Sequence, residues 1–355
     1  LSWLKYMLAD CKTMLATVWN AAGESLEFEL DDGMVVSSLK ERIASKWDIP
    51  IFCQTLVLGE TILDDSDCLS SHSADGRPLS LTMILSVAEI CQALKSEVYN
   101  ERCSALCKLA RLGSRGGAAT VTSVSACLED PSHFVRQAAV EALADVVEMG
   151  DQHAISALSA CFEDTSEAVR QAAVQALAKV AQSGDQHAID AASARLESPN
   201  KLARQAALQA LAQVVKKGDQ HTISALCSYL RDPSDRVRWA AVEALAEVAE
   251  TGDQQVFTAV SICLEDPSPV VRQSAMLTLV DLVQEGDNHA IGVVSARLES
   301  AQAWVRRAAL QVLVQVAKKG DEHVIAKVST CLEDPFESVR QEARRALEDL
   351  SQEGA

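Results

Sequence analysis

Large aromatic side chains are scarce in this 355-residue chain: five Trp, three Tyr and six Phe make up 4% of it. Ala, Val and Leu therefore carry most of the apolar surface, a composition that favours closely packed helices. Positive charge is short as well, with 32 Lys and Arg against 50 Asp and Glu, a formal net charge of -18 and a pI near 4.8. That balance repels nucleic acid and anionic membranes at long range and leaves basic protein surfaces open as partners. No apolar run reaches the roughly 18 residues needed to span a bilayer, so a soluble chain without membrane insertion is expected. A Gly-rich phosphate loop, a nucleophile elbow and a metalloprotease helix are all missing, and the expectation is a non-enzyme with no cofactor and no metal.

The eleven Cys follow no regular pairing pattern. They read as free thiols in a reducing compartment, cytoplasmic or nuclear, or an organelle if a targeting segment precedes the sequence. Residues 1–13 lack an initiator Met and are expected to form an N-terminal extension, either the remnant of a longer precursor or the mark of an incomplete gene model.

One period dominates the rest. Arg102, Arg136, Arg170, Arg204, Arg238, Arg272, Arg306 and Arg340 are 34 residues apart, with Ala three residues and Leu seven residues after each. Within a unit, Gly150 suits a left-handed position after a helix and Asp151 caps the next one. Ile155, Leu158 and Phe162 then recur at helical spacing up to Asp164, which predicts a first helix. Asp-Pro pairs such as Asp130-Pro131 and Asp232-Pro233 predict Pro in the first turn of a second helix. In that helix Val169, Ala173, Ala176, Leu177 and Val180 share one face. A single pair cannot bury that face, so the units must stack.

The phrase GDQHAISALSACFEDTSEAVRQAAVQALAKV resembles HEAT repeats, in particular the short variety of bilin lyases and scaffold proteins, over residues 87–353. The resemblance implies an α-α superhelix of about eight repeats. It also implies a ladder in which Arg136, Arg170, Arg204, Arg238, Arg272, Arg306 and Arg340 bond the turn residues Asp130, Asp164, Asp232, Asp266 and Asp334. Ser198 and Ser300 interrupt that Asp column. Ala-Arg-Leu-Glu-Ser at 194–198 returns at 296–300, and Lys-Lys-Gly-Asp at 216–219 returns at 318–321, which points to duplication of a three-repeat block. Glu342 and Arg344 give the last copy the polar outer face of a cap.

Residues 14–87 follow another plan, with two strands around Gly23, a helix carrying Leu39 and Ile43, then Ile49-Pro50, a strand Thr55-Leu58 and a last strand near Leu79–Leu85. With LVLGETILDD, this order resembles ubiquitin-like domains and implies a small α+β β-grasp domain. No Gly-Gly ends it, so conjugation is not expected, and the family's apolar recognition patch falls on Ala21, Leu56 and Thr82. The expected domains are thus 1–13, 14–87 and 88–355.

Stacked helices stand roughly 8–10 Å apart, so the column His153, His187, His221, His289 and His323 cannot share a metal whose ligands lie about 2 Å from it, and a structural role follows. Cys127, Cys161, Cys263 and Cys331 alternate with Arg195, Tyr229 and Arg297, which predicts a tolerant, half-exposed position. Against the polar background of Gln171, Gln175, Gln205, Gln209 and Gln213 on the second helices, Trp239, Leu277 and Arg307 stand out as partner contacts. Trp304 and Phe134, beside the ladder Arg, form a second candidate rim. The function expected is a protein-interaction scaffold or a subunit of a large complex. The alternatives are a bilin-lyase-like tetrapyrrole handler and an adaptor of the ubiquitin or proteasome system.

Overall fold

The computed structural model describes residues 14–73 and 77–351, so the expected extension 1–13 lies outside the described residues. The chain forms two compact units, Leu1–Val146 and Val147–Ala355. In the first, strands β1 (Met14–Trp19), β2 (Ser25–Leu30), β3 (Gln54–Leu58), β4 (Thr61–Ile62) and β5 (Leu79–Leu85) make one mixed sheet in the order β2-β1-β5-β3-β4. β1 and β5 run parallel, while the β1–β2, β3–β5 and β3–β4 pairs are antiparallel. Helix α1 (Val36–Trp47) supplies Val36, Leu39 and Ile43 to a core shared with Ala16, Val18, Phe28, Leu56, Leu81 and Met83. The period-2 alternation of β1 and β5 puts these residues on one face, which is why a domain this small can bury them. The layout agrees with the expected α+β domain. Helices Ala88–Ala93, Tyr99–Ala110, Gly117–Ala126 and His133–Val146 follow within the same unit.

The second unit is a run of helix pairs. Gln152–Ala160 with Glu167–Val180 and Gln186–Ala194 with Lys201–Val214 open it, and Glu322–Thr330 with Glu337–Ser351 close it. Each first helix begins at its Asp, as the spacing predicts: Asp151 accepts the backbone N–H of His153 and Ala154 at 2.9 and 3.0 Å. The helix tightens into a 3₁₀ turn at its end, as at Cys161–Glu163.

The Pro residues sit elsewhere than predicted. Pro233 and Pro267 lie in the turn, two residues before the helices that begin at Asp235 and Pro269. The cause is the preceding acid, since Asp232 and Asp266 accept the N–H two residues on at 2.8 Å and build an Asx turn whose middle residue suits Pro.

The repeat columns form the core. Ala139, Ala173, Ala207, Ala241, Ala275, Ala309 and Ala343 have no exposure, and neither do Leu143, Leu177, Leu211, Leu245, Leu279 and Leu313. Burying each Leu contributes roughly 1.5–3 kcal/mol. Leu347 alone in its column is half-buried, in the last helix, where Arg344 and Arg345 are exposed.

A backbone latch joins successive pairs of the second unit. The Gly after each second helix adopts a positive φ, +80° at Gly184 and +82° at Gly218. That turn aims its N–H at a carbonyl at the end of the next second helix: Gly184 bonds Val214 at 2.6 Å, Gly218 bonds Val248 at 2.7 Å and Gly320 bonds Leu350 at 2.8 Å. Helix C-terminal carbonyls otherwise left without a partner are satisfied in this way.

Candidate functional site: ladder, groove and sheet face

The ladder has a common geometry. Arg204 donates from Nε and Nη2 to Asp232 at 2.8 and 3.0 Å, Arg238 to Asp266 at 2.6 and 2.8 Å, and Arg306 to Asp334 at 2.6 and 2.8 Å. In the first unit Arg102 holds Asp130 by the same two bonds at 2.8 Å each. The remaining nitrogen, Nη1, donates to backbone carbonyls of the Arg's own turn, as Arg238 does to Asp232 at 2.9 Å. Arg136 makes the same turn bond to Asp130, and Arg340 to Asp334. Each rung is a bidentate, charge-assisted pair, the arrangement that suits a planar guanidinium. The bond from Arg306 holds the Asp334 carboxyl below its ordinary value, and the bond from Asp266 raises Arg238. Asp164 accepts the N–H of Ser166 at 2.7 Å.

The two Ser positions differ from each other. At Ser300, Arg272 keeps its turn bond to the Asp266 carbonyl at 2.7 Å, and its guanidinium lies 5.4 Å from the Trp304 ring centre. Trp304 is 49% exposed, and its face covers that cation. At Ser198 the equivalent residue is Leu202, which offers no ring.

The other columns have structural occupations. His187 Nε2 lies 3.0 Å from Ser156 Oγ, and His289 Nε2 lies 2.9 Å from Thr258 Oγ1, each bond reaching back to the preceding first helix. Among the described residues no group of three or more His, Cys, Asp or Glu is placed to hold a metal ion. The Cys column divides: Cys161 is half-exposed as expected, as are Arg195, Tyr229 and Arg297 at the same position, and the other three Cys are buried. Cys127, Cys263 and Cys331 are 7%, 4% and 6% exposed, and burial pushes the Cys263 thiol up to about 12. They lie where the 3₁₀ turn packs inward, a placement that a column alternating with Arg and Tyr does not suggest.

The partner candidates are scattered. Leu277 is 55% exposed, and Arg307 is exposed with its Nε 3.8 Å from Glu342. Trp239 is half-buried in a cavity of about 410 Å³ with Glu167, Gln205, Asp235, Arg236, Ser268 and Val270. Phe134, 53% exposed, stacks on Tyr99 at 5.7 Å within the first unit.

The polar background itself is the better-formed feature. Gln171, Gln175, Gln209, Gln213, Glu243 and Glu247 line a groove of about 590 Å³ across three consecutive second helices, floored by Val174, Ala212, Ala240 and Ala244. These polar residues stand five or nine residues after the ladder Arg, apart from Gln171 at one, so the second helix of each pair repeats them along one face. Gln171 bonds Gln209 at 3.2 Å, and Ser274 donates to Glu243 at 2.5 Å. No Lys or Arg lines this groove. Attention to the odd residue in each column passed over Glu243 and Glu247, although the same spacing count reaches them.

On the sheet, Leu56 is fully buried and so cannot belong to an exposed recognition patch. The register instead sets Trp19, Thr82, Val57 and Ile62 side by side across β1, β5, β3 and β4. Trp19 is 43% exposed, Ile62 69%, and Ile84, further along β5, 48%.

A family model described as HEAT repeats matches residues 87–178, 121–212, 189–280 and 258–348. No curated protein matches. Among solved structures, YibA of Escherichia coli, a structural-genomics target, is similar at 18% identity over 74% of this chain and 93% of its own, with a TM-score of 0.43.

Proposed function

The chain belongs to the HEAT-repeat family, whose helical arrays typically mediate protein interactions, and on that premise we propose that it is a scaffold holding a basic segment of a partner protein. The observation that carries this reading is the groove of amides and carboxylates around Gln175, Gln209, Gln213, Glu243 and Glu247. Its lining has negative charge only, the chain carries a net charge of -18, and a Lys- or Arg-bearing segment complements both. Trp239, whose cavity also contains Gln205 and Val270, offers an aromatic anchor for the same segment. In this assignment residues 88–355 form the array and 14–87 a second docking module. The ten Cys described are all free thiols, which suits a reducing compartment. No described helix is long and apolar enough to cross a membrane.

Fluorescence anisotropy with a panel of synthetic Lys/Arg-rich peptides tests the groove. A Glu243→Lys/Glu247→Lys double variant is expected to lose about tenfold or more of the affinity, with the wild-type affinity falling as salt rises. Equal affinity for the double variant and the wild type overturns the reading.

A role in the ubiquitin system is favoured by one observation, the exposed apolar side chains of Trp19, Ile62 and Ile84, with half-buried Val57 beside Ile62, on a β-grasp-like sheet. Purified ubiquitin-receptor domains that bind the wild type and fail to bind Ile62→Glu support it, and indifference to that substitution removes it.

A further inference from the structure

The duplicated block contains two rungs in which Ser replaces Asp, and in both the residue three positions earlier is Arg, at Arg195 and Arg297. The second copy gives each of its cations a partner. Arg272 lies under Trp304, and Arg297 pairs with Glu265 at 2.7 Å. The first copy has neither device. Arg170, 6% exposed, donates Nη1 to the carbonyls of Asp164 and Thr165 at 2.6 and 3.1 Å, the pose of every complete rung. Among the described residues no acceptor reaches its Nε or Nη2, the two nitrogens that grip the carboxylate elsewhere in the ladder. Glu163 stands where Glu265 stands in the other copy, yet it accepts from Asn200 at 3.3 Å and forms no ion pair with Arg195. The Nε of Arg195, like that of Arg297, is sealed from solvent without a partner, but Arg297 holds Glu265 through Nη1 and Arg195 makes no such pair.

We propose that Arg170, with Arg195 and Ser198 beside it, binds a small oxyanion, a carboxylate or phosphate group, in the place that an Asp fills in the complete rungs. Three features support this. The guanidinium is already fixed by its two turn carbonyls, so its bidentate edge is organised in advance. Ser198 is shorter than Asp by the carboxylate group, and its hydroxyl accepts the N–H of Asn200 at 3.1 Å, so the turn is preserved without the charge. The carboxylates of the complete rungs keep side-chain exposures of 6–9%, so that position borders solvent and an anion can reach it. A buried guanidinium without a counter-charge is costly, and a bound oxyanion removes that cost.

Isothermal titration of the full chain with inorganic phosphate, and separately with acetate, tests the site. Saturable binding is expected to at least one of them, and the preferred anion tells whether phosphate or carboxylate is the natural group. Ser198→Asp recreates the rung that the protein builds at Asp130, Asp232, Asp266 and Asp334 and is expected to weaken binding at least about tenfold, or 1.4 kcal/mol. Ser198→Ala, which adds no carboxylate, and Ser300→Asp, at the other copy, are expected to bind as the wild type does. No saturable heat with either anion, or equal binding by Ser198→Asp and wild type, overturns the proposal, the latter marking an adventitious surface ion only.

Discussion

The rungs at Asp266 and Ser198 are built on the same 34-residue template and differ in what closes them. Arg238 grips Asp266 by two bonds, whereas Arg170 faces a Ser with its guanidinium held in the same pose by its own turn carbonyls. The pose therefore does not depend on the carboxylate. It comes from the turn bond at Nη1 and from the glycine latch, which ties Gly184 to Val214 in one case and Gly252 to Leu282 in the other. A repeat position can change its chemistry while the backbone holds its register, which is how a duplicated block acquires differences of function.

Removing one complete rung gives the sharpest contrast. Asp266→Ala removes a buried carboxylate and leaves half-buried Arg238 without its counter-charge, and is expected to cost about 3 kcal/mol in denaturant unfolding of the array. Ser198→Ala is expected to cost less than about 1 kcal/mol. Similar losses for the two would mean that the ladder carries little stability.

Acid should act on the Asp334 rung and spare the interrupted ones. Because Arg306 depresses the Asp334 carboxyl, its contribution is fully present above the ordinary Asp value and is lost as pH falls through the depressed one. Asp334→Asn is expected to flatten the acid limb of a stability-against-pH curve, and an unchanged limb would remove Asp334 from the account.

The latch can be tested by one substitution in two settings. Gly218→Ala forces a side chain onto φ +82°, with the new Cβ 2.9 Å from Glu250, and should lower stability by about 1–2 kcal/mol. Gly292→Ala, inside a helix with open space around it, should raise stability by about 0.4–1 kcal/mol. Thermal melts of both decide whether the glycine column matters for its backbone conformation. The smallest effect is expected at the duplicate rung, where Trp304→Leu copies Leu202 and should cost about 0.5–1 kcal/mol through the lost ring–cation contact.

The sequence by itself determined the period, the helix pairs, the Asp caps, the buried Ala and Leu columns and the polar last helix. Each of these follows from local propensity or from a spacing that repeats, and a repeat offers eight readings of the same position. It also marked the Arg and Asp columns and both Ser interruptions. Only the tertiary structure decided the rest. The Pro residues moved out of the helix because Asp side chains bond the turn, and Cys127, Cys263 and Cys331 are buried where their 3₁₀ turns pack inward, while Cys161 stays half-exposed. Leu56 points into the sheet core, so the exposed apolar side chains of the sheet are Trp19, Ile62 and Ile84. Trp304 and Leu202 share a column, but only coordinates show that one covers an arginine, because that contact joins residues 32 positions apart across a helix stack. The groove at Glu243 and Glu247 has the same origin. Its residues are ordinary along the chain and become a surface only when three helices set them side by side.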